Sequence, residues 1–285
     1  MLRKPTNCPM KYIFQSLDWA HSSLMTANLP YKLCAMRPRS GTVTSIPRRP
    51  MVMRLVSVKG VRTCGVPRDE IFVTTKLAAE VKTYDGVTHA IDESLQRMGL
   101  DHIDLMLIHS PQPWNDFRGG DYAEGNREAW RAMEEAYHAG KLRAIGVSNF
   151  KEEDLKNILT SCEIKPMVNQ LLAHVGNMPS ALIEYCQPAG ILIEAYSPVV
   201  HGEILHRPEL IAMAERLSVS VAQLCIRFDL RLGLLPLPKT ANPEHMRDNI
   251  NVDFEISNED MTTLSAIEPL KNYGKFTHFP VFSGK

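Results

Sequence analysis

The residues best suited to chemistry in this chain stand where short apolar segments end. His109 directly follows Leu105–Ile108, a continuous apolar run that predicts a strand buried on both faces. A lone histidine at such a point is more often a core residue that a neighbour satisfies. The same arrangement recurs along the chain, however, at Lys76, His109, Ser148 with Asn149, Gln170, Tyr196 with Ser197, and Lys239 with Thr240.

These side chains can donate hydrogen bonds, carry positive charge or stack on a flat ring. If successive strands are parallel, their carboxyl ends meet at one mouth, where barrel enzymes hold their chemistry. The plainer alternative is that polar residues simply begin loops. That alternative does not explain why a lysine follows an apolar strand at both Lys76 and Lys239.

Strand and helix patterns alternate from residue 71 onward. Short apolar runs predict strands at Ile71–Leu77, Leu105–Ile108, Arg143–Val147, Met167–Gln170, Ile191–Tyr196 and Leu234–Leu237. Amphipathic spacing predicts helices at Gly86–Met98, Asn126–His138, Glu152–Thr160, Ser180–Gln187, Pro208–Leu217, Val219–Asp229, Pro243–Ile250 and Asn258–Ala266.

Such alternation requires a parallel sheet with helices packed outside it. An open, doubly wound sheet for dinucleotides should carry G-x-G-x-x-G after a strand, and this sequence has no such motif. The pattern therefore favours an α/β protein of the (β/α)8 barrel class.

Composition excludes several classes of partner. Lys plus Arg and Asp plus Glu are both 32, so the formal net charge is zero and favours neither nucleic acid nor a membrane surface. The six cysteines form no metal-binding pattern, and scattered thiols fit a reducing cytoplasm. The first residues contain no long apolar run, so we expect neither a leader peptide nor a membrane span.

Residues 1–58 differ from the rest. They are basic, have Asp18 as their only acid and show no lasting period. One interpretation is a disordered or misfolded segment, and another is a basic arm for nucleic acid, although interleaved aromatic residues are lacking. A third interpretation depends on a family resemblance in the remainder of the chain.

From about Gly60 to Lys285 the sequence resembles the aldo-keto reductases, and is similar to the bacterial 2,5-diketo-D-gluconate reductases. We therefore interpret residues 59–285 as one barrel domain. The segments that carry the resemblance are Ile71–Leu77, Leu105–Pro111, Gly140–Phe150, Val168–Leu171, Ala195–Pro198, Leu235–Thr240 and Tyr273–Lys285.

The resemblance implies a TIM barrel that binds NADPH without a Rossmann motif. It also implies reduction of aldehyde or ketone groups in small or sugar-derived molecules, with no metal, by a cytoplasmic monomer. Lys76 and His109 match the catalytic lysine and histidine of the family, and Tyr196 matches the aromatic residue on which the nicotinamide ring stacks. The residues that match the carboxamide-holding positions are Ser148, Asn149 and Gln170.

The phosphate and adenine end of the cofactor site is matched less completely. Ser197, Lys239 and Thr240 match positions around the cofactor phosphates, and Asn249 matches an adenine contact. His245 stands where the family has an arginine for the 2′-phosphate, and histidine is a weaker, pH-dependent phosphate partner. NADH is therefore a plausible cofactor beside NADPH.

The family motif that supplies a catalytic aspartate and tyrosine before the lysine is missing. By spacing these residues would fall at Ile46 and near Met51, and neither can do their work. We therefore expect the first two barrel strands to be missing or disrupted and carbonyl reduction to be impaired. The alternatives are a pseudoenzyme that binds cofactor without reduction and an aldolase-type barrel with Lys76 as a Schiff-base amine.

The third interpretation of residues 1–58 is a frameshifted translation, with the frame restored near Lys59. Codons for Thr44–Arg54, read one nucleotide earlier, can encode His-Ile-Asp-Thr-Ala-Ala-Ala-Tyr-Gly-Asn-Glu, the missing motif, in register with Lys76. Leu17–His21 can likewise encode Gly-Leu-Gly-Thr, which matches the first strand of the family.

The nucleotide sequence tests this hypothesis directly. We expect the codons of Thr44–Arg54 to spell the missing motif when they are read one nucleotide earlier. Codons that cannot encode the aspartate and the tyrosine in that frame would rule the frameshift out.

Overall fold

The computed structural model describes residues 12–15, 67–240 and 242–283. Among them, seven strands form one parallel sheet in which each strand pairs with the next in chain order. The sheet curls into part of a barrel. Its strands are β1 Tyr12–Gln15, β2 Ile71–Leu77, β3 Leu105–Ile108, β4 Ile145–Ser148, β5 Val168–Leu172, β6 Leu192–Tyr196 and β7 Leu235–Leu237.

Helices follow most of the strands, as a parallel sheet with outer helices requires. They are α1 Tyr84–Met98, α2 Ala123–His138, α3 Glu152–Leu159, α4 Ser180–Cys186, α5 Pro208–Arg216, α6 Val221–Arg231, α7 Pro243–Ile250 and α8 Asn258–Ser265. In the described part of the chain, no helix has both the length and the apolar character to cross a membrane.

Both faces of β3 are buried, as its unbroken apolar sequence predicts. Leu105 and Leu107 pack with Val168 of β5 in one cluster, while Met106 and Ile108 join the larger cluster formed with the helices. The space between β3 and β5 is narrow, because a Cβ at Gly146 would lie 2.7 Å from Leu107 Cδ2 and 2.6 Å from the Val168 carbonyl oxygen. A side chain at residue 146 would push the strands apart.

Every strand predicted from residue 71 onward is present, and the element ends differ from prediction by a few residues. Helix α1 begins at Tyr84 rather than Gly86, because the Thr83 side chain accepts a hydrogen bond from the Gly86 amide. Helix α6 begins at Val221 rather than Val219, because Ser220 and Gln223 form a capping box. Serine is a favoured N-cap residue, and Ser257, directly before the predicted last helix, caps α8 by accepting a hydrogen bond from the Asp260 amide.

The almost fully buried carboxylate of Asp104 connects neighbouring strands at their N-terminal ends. It accepts hydrogen bonds from the Arg68 guanidinium at 2.7 Å, the Val73 amide at 2.9 Å and Arg143 at 3.3 Å. These contacts join the starts of β2, β3 and β4. They therefore set the level at which the three strands end at the opposite edge.

Only four residues of the anomalous segment 1–58 are described. Tyr12–Gln15 form β1, which pairs with β2 through the Cα partners Tyr12 and Ile71. The expectation that the first two strands are missing or disrupted otherwise concerns residues outside the described range. Ile46 and Met51 lie there as well.

Helix α6 buries the carboxyl group of Asp229, which has no exposed surface. Among the described residues, neither of its side-chain oxygens has a hydrogen-bond partner. Burial raises the pKa of Asp229 well above its ordinary value of 3.8. The folded protein therefore binds this proton more tightly than the unfolded chain does.

We predict that Asp229→Asn stabilises the protein by about 1–3 kcal/mol at pH 7. An amide carries no charge, so its burial does not have to work against the ionisation that the aspartate has in the unfolded chain. In the wild type, the contribution of Asp229 to the free energy of unfolding is fully present below the unfolded pKa of its carboxyl group. It is lost as the pH rises through the folded pKa of that group. The advantage of the variant should therefore grow with pH in urea unfolding experiments. Asp248→Asn, at an exposed position of α7, is the control, and an equal effect there would contradict the prediction.

Candidate active site

The carboxyl ends of β2, β4 and β5 bring three of the predicted residues together. Ser148 and Gln170 are Cα partners in neighbouring strands. The Lys76 ammonium lies 3.4 Å from Ser148 Oγ, and that hydroxyl donates to the Gln170 carbonyl oxygen at 3.0 Å. A cationic amine therefore stands beside the Ser148 hydroxyl, which in turn donates to the backbone of Gln170 at the mouth of the sheet.

Asn149 connects this group to two further predicted residues. Its Nδ2 donates to the His109 carbonyl oxygen at 3.0 Å and to Ser148 Oγ at 3.2 Å. Its Oδ1 accepts from the Tyr196 hydroxyl at 2.8 Å. The φ angle of 62° turns the chain sharply after β4, a conformation that asparagine tolerates better than most residues. This turn points the amide across the strand ends.

Arg118 holds the backbone of this turn from outside, although sequence reasoning did not find it. Its guanidinium donates to the Asn149 carbonyl oxygen at 2.9 Å and pairs with Asp154 at 2.8 Å. The sequence offered no signal for this contact, because Arg118 lies in a loop far from Asn149 in the chain. Its positive φ of 63° depends on the surrounding structure.

The Tyr196 ring is half-buried and lies at the centre of the mouth. The Lys76 ammonium lies 5.9 Å from its ring centroid, and Phe282 of the C-terminal tail meets it edge-on at 6.3 Å. Phe282 also contacts Tyr273 and His201, so the tail and the loop after β6 form one aromatic cluster. One edge of the Tyr196 ring is therefore covered by the tail.

Glu194 is the second group that sequence reasoning missed. It is 4% exposed, and its Oε2 accepts from Gln170 Nε2 at 2.6 Å. Burial raises the pKa of Glu194, while the Gln170 hydrogen bond and the positive charge of Lys76 act in the opposite direction. A signal existed, since an acid inside an apolar strand, two residues before Tyr196, shares the face of that tyrosine.

His109 is half-buried at the end of β3, where its amide donates to the Leu77 carbonyl oxygen at 3.1 Å. Its ring meets the edge of Trp114 at 4.9 Å between centroids, and Trp114 stacks on Phe117 at 5.6 Å. The imidazole therefore lies against an aromatic loop, while the backbone of His109 contacts Asn149.

Apart from Ser197, the remaining predicted residues lie at the end of β7 and in α7. Lys239 and His245 are exposed, while Asn249 is buried. Thr240 Oγ1 accepts from the Asn242 amide at 3.1 Å, just before α7. Ser197, with a φ of 59°, begins the loop after β6. No hydrogen bond among the described residues joins this group to Lys76 or Asn149.

Residues 58–269 match the Aldo/keto reductase family. The chain belongs to this family. It is therefore an oxidoreductase by family, and the resemblance and the barrel class that the sequence predicted are confirmed. The named site residues are not tested by this match, and their roles stay predictions.

Two relatives in Bacillus subtilis (strain 168) illustrate the match. An uncharacterised oxidoreductase is 38% identical over 210 residues, which cover 73% of this chain and 71% of the relative. A glyoxal reductase is 39% identical over 216 residues, which cover 75% of each chain.

Solved structures show the same fold. An aldo-keto reductase from a Medee basin deep-sea metagenome library superposes with a TM-score of 0.68 at 32% identity, covering 74% of this chain and 76% of that one. An aldo-keto reductase of Bombyx mori in complex with NADP gives a TM-score of 0.67 at 31% identity, covering 79% of this chain and 77% of that one.

Lys82 supports the loop that follows His109. Its ammonium donates to the Ser110 carbonyl oxygen and to Asn126 Oδ1, both at 2.8 Å. Burial lowers the pKa of Lys82 from 10.5 to about 8, against the opposing effect of the Glu80 and Asp154 carboxylates. Between these two values the unfolded chain binds more protons than the folded protein, so stability rises with pH there.

We predict that Lys82→Met destabilises the protein by about 1–3 kcal/mol at pH 7, because two buried acceptors lose their donor. The difference in free energy of unfolding between wild type and variant should grow between about pH 8 and pH 10.5, by at most about 1.4 kcal/mol per pH unit. Denaturant unfolding at several pH values measures it, with the exposed Lys271→Met as control. A deficit that narrows over this pH range would contradict the prediction.

Proposed function

We propose that this chain has the site of a carbonyl reductase, which uses NADPH to reduce aldehyde or ketone groups of small or sugar-derived molecules. In the sequence as it stands, this reduction is impaired. The observation that carries the proposal is the hydrogen-bonded group of Lys76, Ser148, Asn149, Gln170 and Tyr196. Two relatives support it, the Bacillus glyoxal reductase and the NADP-bound silkworm enzyme. A monomeric state and a cytoplasmic location remain predictions.

The residues present fit a nicotinamide dinucleotide. A carboxamide offers a donor and an acceptor, and the side chains of Ser148, Asn149 and Gln170 offer both kinds of partner within one hydrogen-bonded group. The face of a half-buried tyrosine such as Tyr196 is suited to stack on a flat ring. These four residues would hold the nicotinamide end.

The other end of the cofactor would meet the group near α7. Lys239 is exposed and can pair with a phosphate, and the start of α7 at Pro243 adds backbone amides that favour an anion. His245, also exposed, offers less charge near neutral pH than an arginine would. We therefore propose NADPH as the cofactor, with NADH accepted at some loss of affinity.

A bound NADPH would supply the hydride. Lys76 contributes positive charge beside the Tyr196 ring, where an alkoxide that develops on the substrate would be stabilised. His109, half-buried beside Trp114, is suited to orient a substrate carbonyl through its imidazole. In the family the proton comes from a tyrosine, and the lysine that Lys76 matches lowers the pKa of that tyrosine.

The position of that tyrosine falls near Met51, and that of the aspartate that pairs with the lysine falls at Ile46. Neither residue can donate or hold a proton in this role. A positioned general acid contributes about 10²- to 10⁴-fold to the rate of such a step. We therefore propose that this chain binds the cofactor but turns it over slowly.

The proposal predicts binding without ordinary turnover. NADPH fluorescence should change on titration with the protein, while oxidation of NADPH by glyoxal should be about 10²- to 10⁴-fold slower than in a variant whose residues 44–54 are replaced by the family motif. Turnover equal to that of the repaired variant would contradict the impairment. Failure of both proteins to bind NADPH would contradict the cofactor assignment.

The role of Tyr196 has its own test. Tyr196→Ala should weaken NADPH binding about tenfold, because a ring stack of about 0.5–1.5 kcal/mol and its buried area are lost. The dissociation constant is measured by calorimetry. Tyr185→Ala, on the outer helix α4, is the matched control and should bind as the wild type does.

A further inference from the structure

Glu194 continues a row of polar residues across the inside of the sheet. It is the Cα partner of Gln170 in β5, and Gln170 is the Cα partner of Ser148 in β4. The row ends at the Lys76 ammonium, which lies beside Ser148 Oγ. Burial of the Glu194 carboxyl group, which is 4% exposed, is costly unless a partner compensates it. Here the partner is the side-chain amide of Gln170.

The contact decides which way the Gln170 amide faces. An ionised carboxylate can only accept hydrogen bonds, so the amide must turn its NH₂ group toward Glu194 Oε2, as the Nε2–Oε2 distance of 2.6 Å reflects. The carbonyl end, Oε1, then points the other way. Residues 67–240 and 242–283 provide it with no hydrogen-bond partner.

We propose that Glu194 is a positioning residue whose carboxylate holds the Gln170 amide with Oε1 free to accept a hydrogen bond from the NH₂ group of a nicotinamide carboxamide. This inference rests on the proposed cofactor function and adds a residue to it. Glu194 does not touch the ligand. It leaves a hydrogen-bond acceptor, Gln170 Oε1, facing the ligand and so selects a ligand that donates a hydrogen bond to that atom.

The proton on Glu194 controls this selection. A protonated carboxyl group donates a hydrogen bond, so the Gln170 amide can rotate by half a turn and present its NH₂ group to the ligand instead. In the described part of the chain, the groups that face Glu194 are Lys76 from β2, Gln170 from β5 and the apolar Leu235, its Cα partner in β7. Burial raises the pKa of Glu194, while the first two oppose that effect. Acceptor character is therefore lost as pH falls through this pKa.

A pair of cofactors that differ at one group tests the selection. The reduced 3-acetylpyridine analogue of NADPH carries a methyl group in place of the NH₂, so it cannot donate to Gln170. Calorimetry at pH 8 should show that the wild type binds NADPH about tenfold more tightly than the analogue, the effect of one hydrogen bond to a buried polar group. The ratio should fall as pH is lowered.

Glu194→Gln should reduce this ratio toward one, because a neutral amide at residue 194 can donate or accept and no longer sets the Gln170 orientation. The pH dependence of the ratio should vanish in the same variant. Glu184→Gln, at an exposed position of α4, should leave both affinities unchanged. If Glu194→Gln weakens both cofactors equally, Glu194 has only a structural role and the inference is wrong.

A measurement without cofactor separates this inference from the proposed function. In ¹⁵N- and ¹³C-labelled protein, the side-chain NH₂ resonance of Gln170 should titrate together with the carboxyl carbon of Glu194, and Glu194→Gln should abolish the Gln170 titration. If the chain binds neither cofactor, the proposed function fails, and a coupled titration still supports the positioning of Gln170. An NH₂ resonance that does not follow Glu194 overturns the inference.

Discussion

The in-register parallel pairing of β4, β5 and β6 is the constraint on which the site depends. Ser148, Gln170 and Glu194 are successive Cα partners, so their side chains leave the sheet at one level. Strands that are buried on both faces must satisfy every backbone group within the sheet, which leaves little freedom to slip. A shift of one residue would turn each of these polar side chains to the other face.

Buried ionisable groups in this chain differ in how their burial is compensated. Lys82 donates to two acceptors, and Glu194 accepts from an amide close to a cation. Asp229 has neither kind of partner within the part of the chain that the structure describes. The first two are tied to the loop after His109 and to the row that ends at Lys76, whereas Asp229 lies in α6, apart from both. Buried ionisable groups that also have a specific partner in a cleft are typical of functional sites, whereas burial without a partner is a cost in stability.

The chain combines a family site with an N-terminal segment that does not follow the family. The described hydrogen bonds of Asn149 join it to Ser148, His109 and Tyr196, which all lie after position 70. On the proposed function, cofactor binding and proton transfer would therefore be carried by different parts of the sequence. Loss of one need not abolish the other, because the strands that hold the amides pair with one another rather than with the segment that should supply the acid.

The sequence by itself determined the strand–helix order, the barrel class and the members of the polar mouth. Each of these depends on local pattern: apolar runs, helical spacing, and a polar residue at the end of a strand. The N-cap of the last helix, Ser257, could be read from the sequence for the same reason. Helix α1 begins before its predicted start and α6 begins after it, because the caps Thr83 and Ser220 set these ends and the apolar pattern does not show them.

Only the tertiary structure decided which polar groups touch. The bond between Gln170 and Glu194, the guanidinium of Arg118 at Asn149 and the edge of Phe282 on Tyr196 join residues that are distant in the chain. Such contacts depend on strand register and loop path, which local patterns do not encode. Register therefore turned His109 and Lys76 from two strand-end residues into parts of one site, and it added the buried carboxyl group of Glu194 beside them.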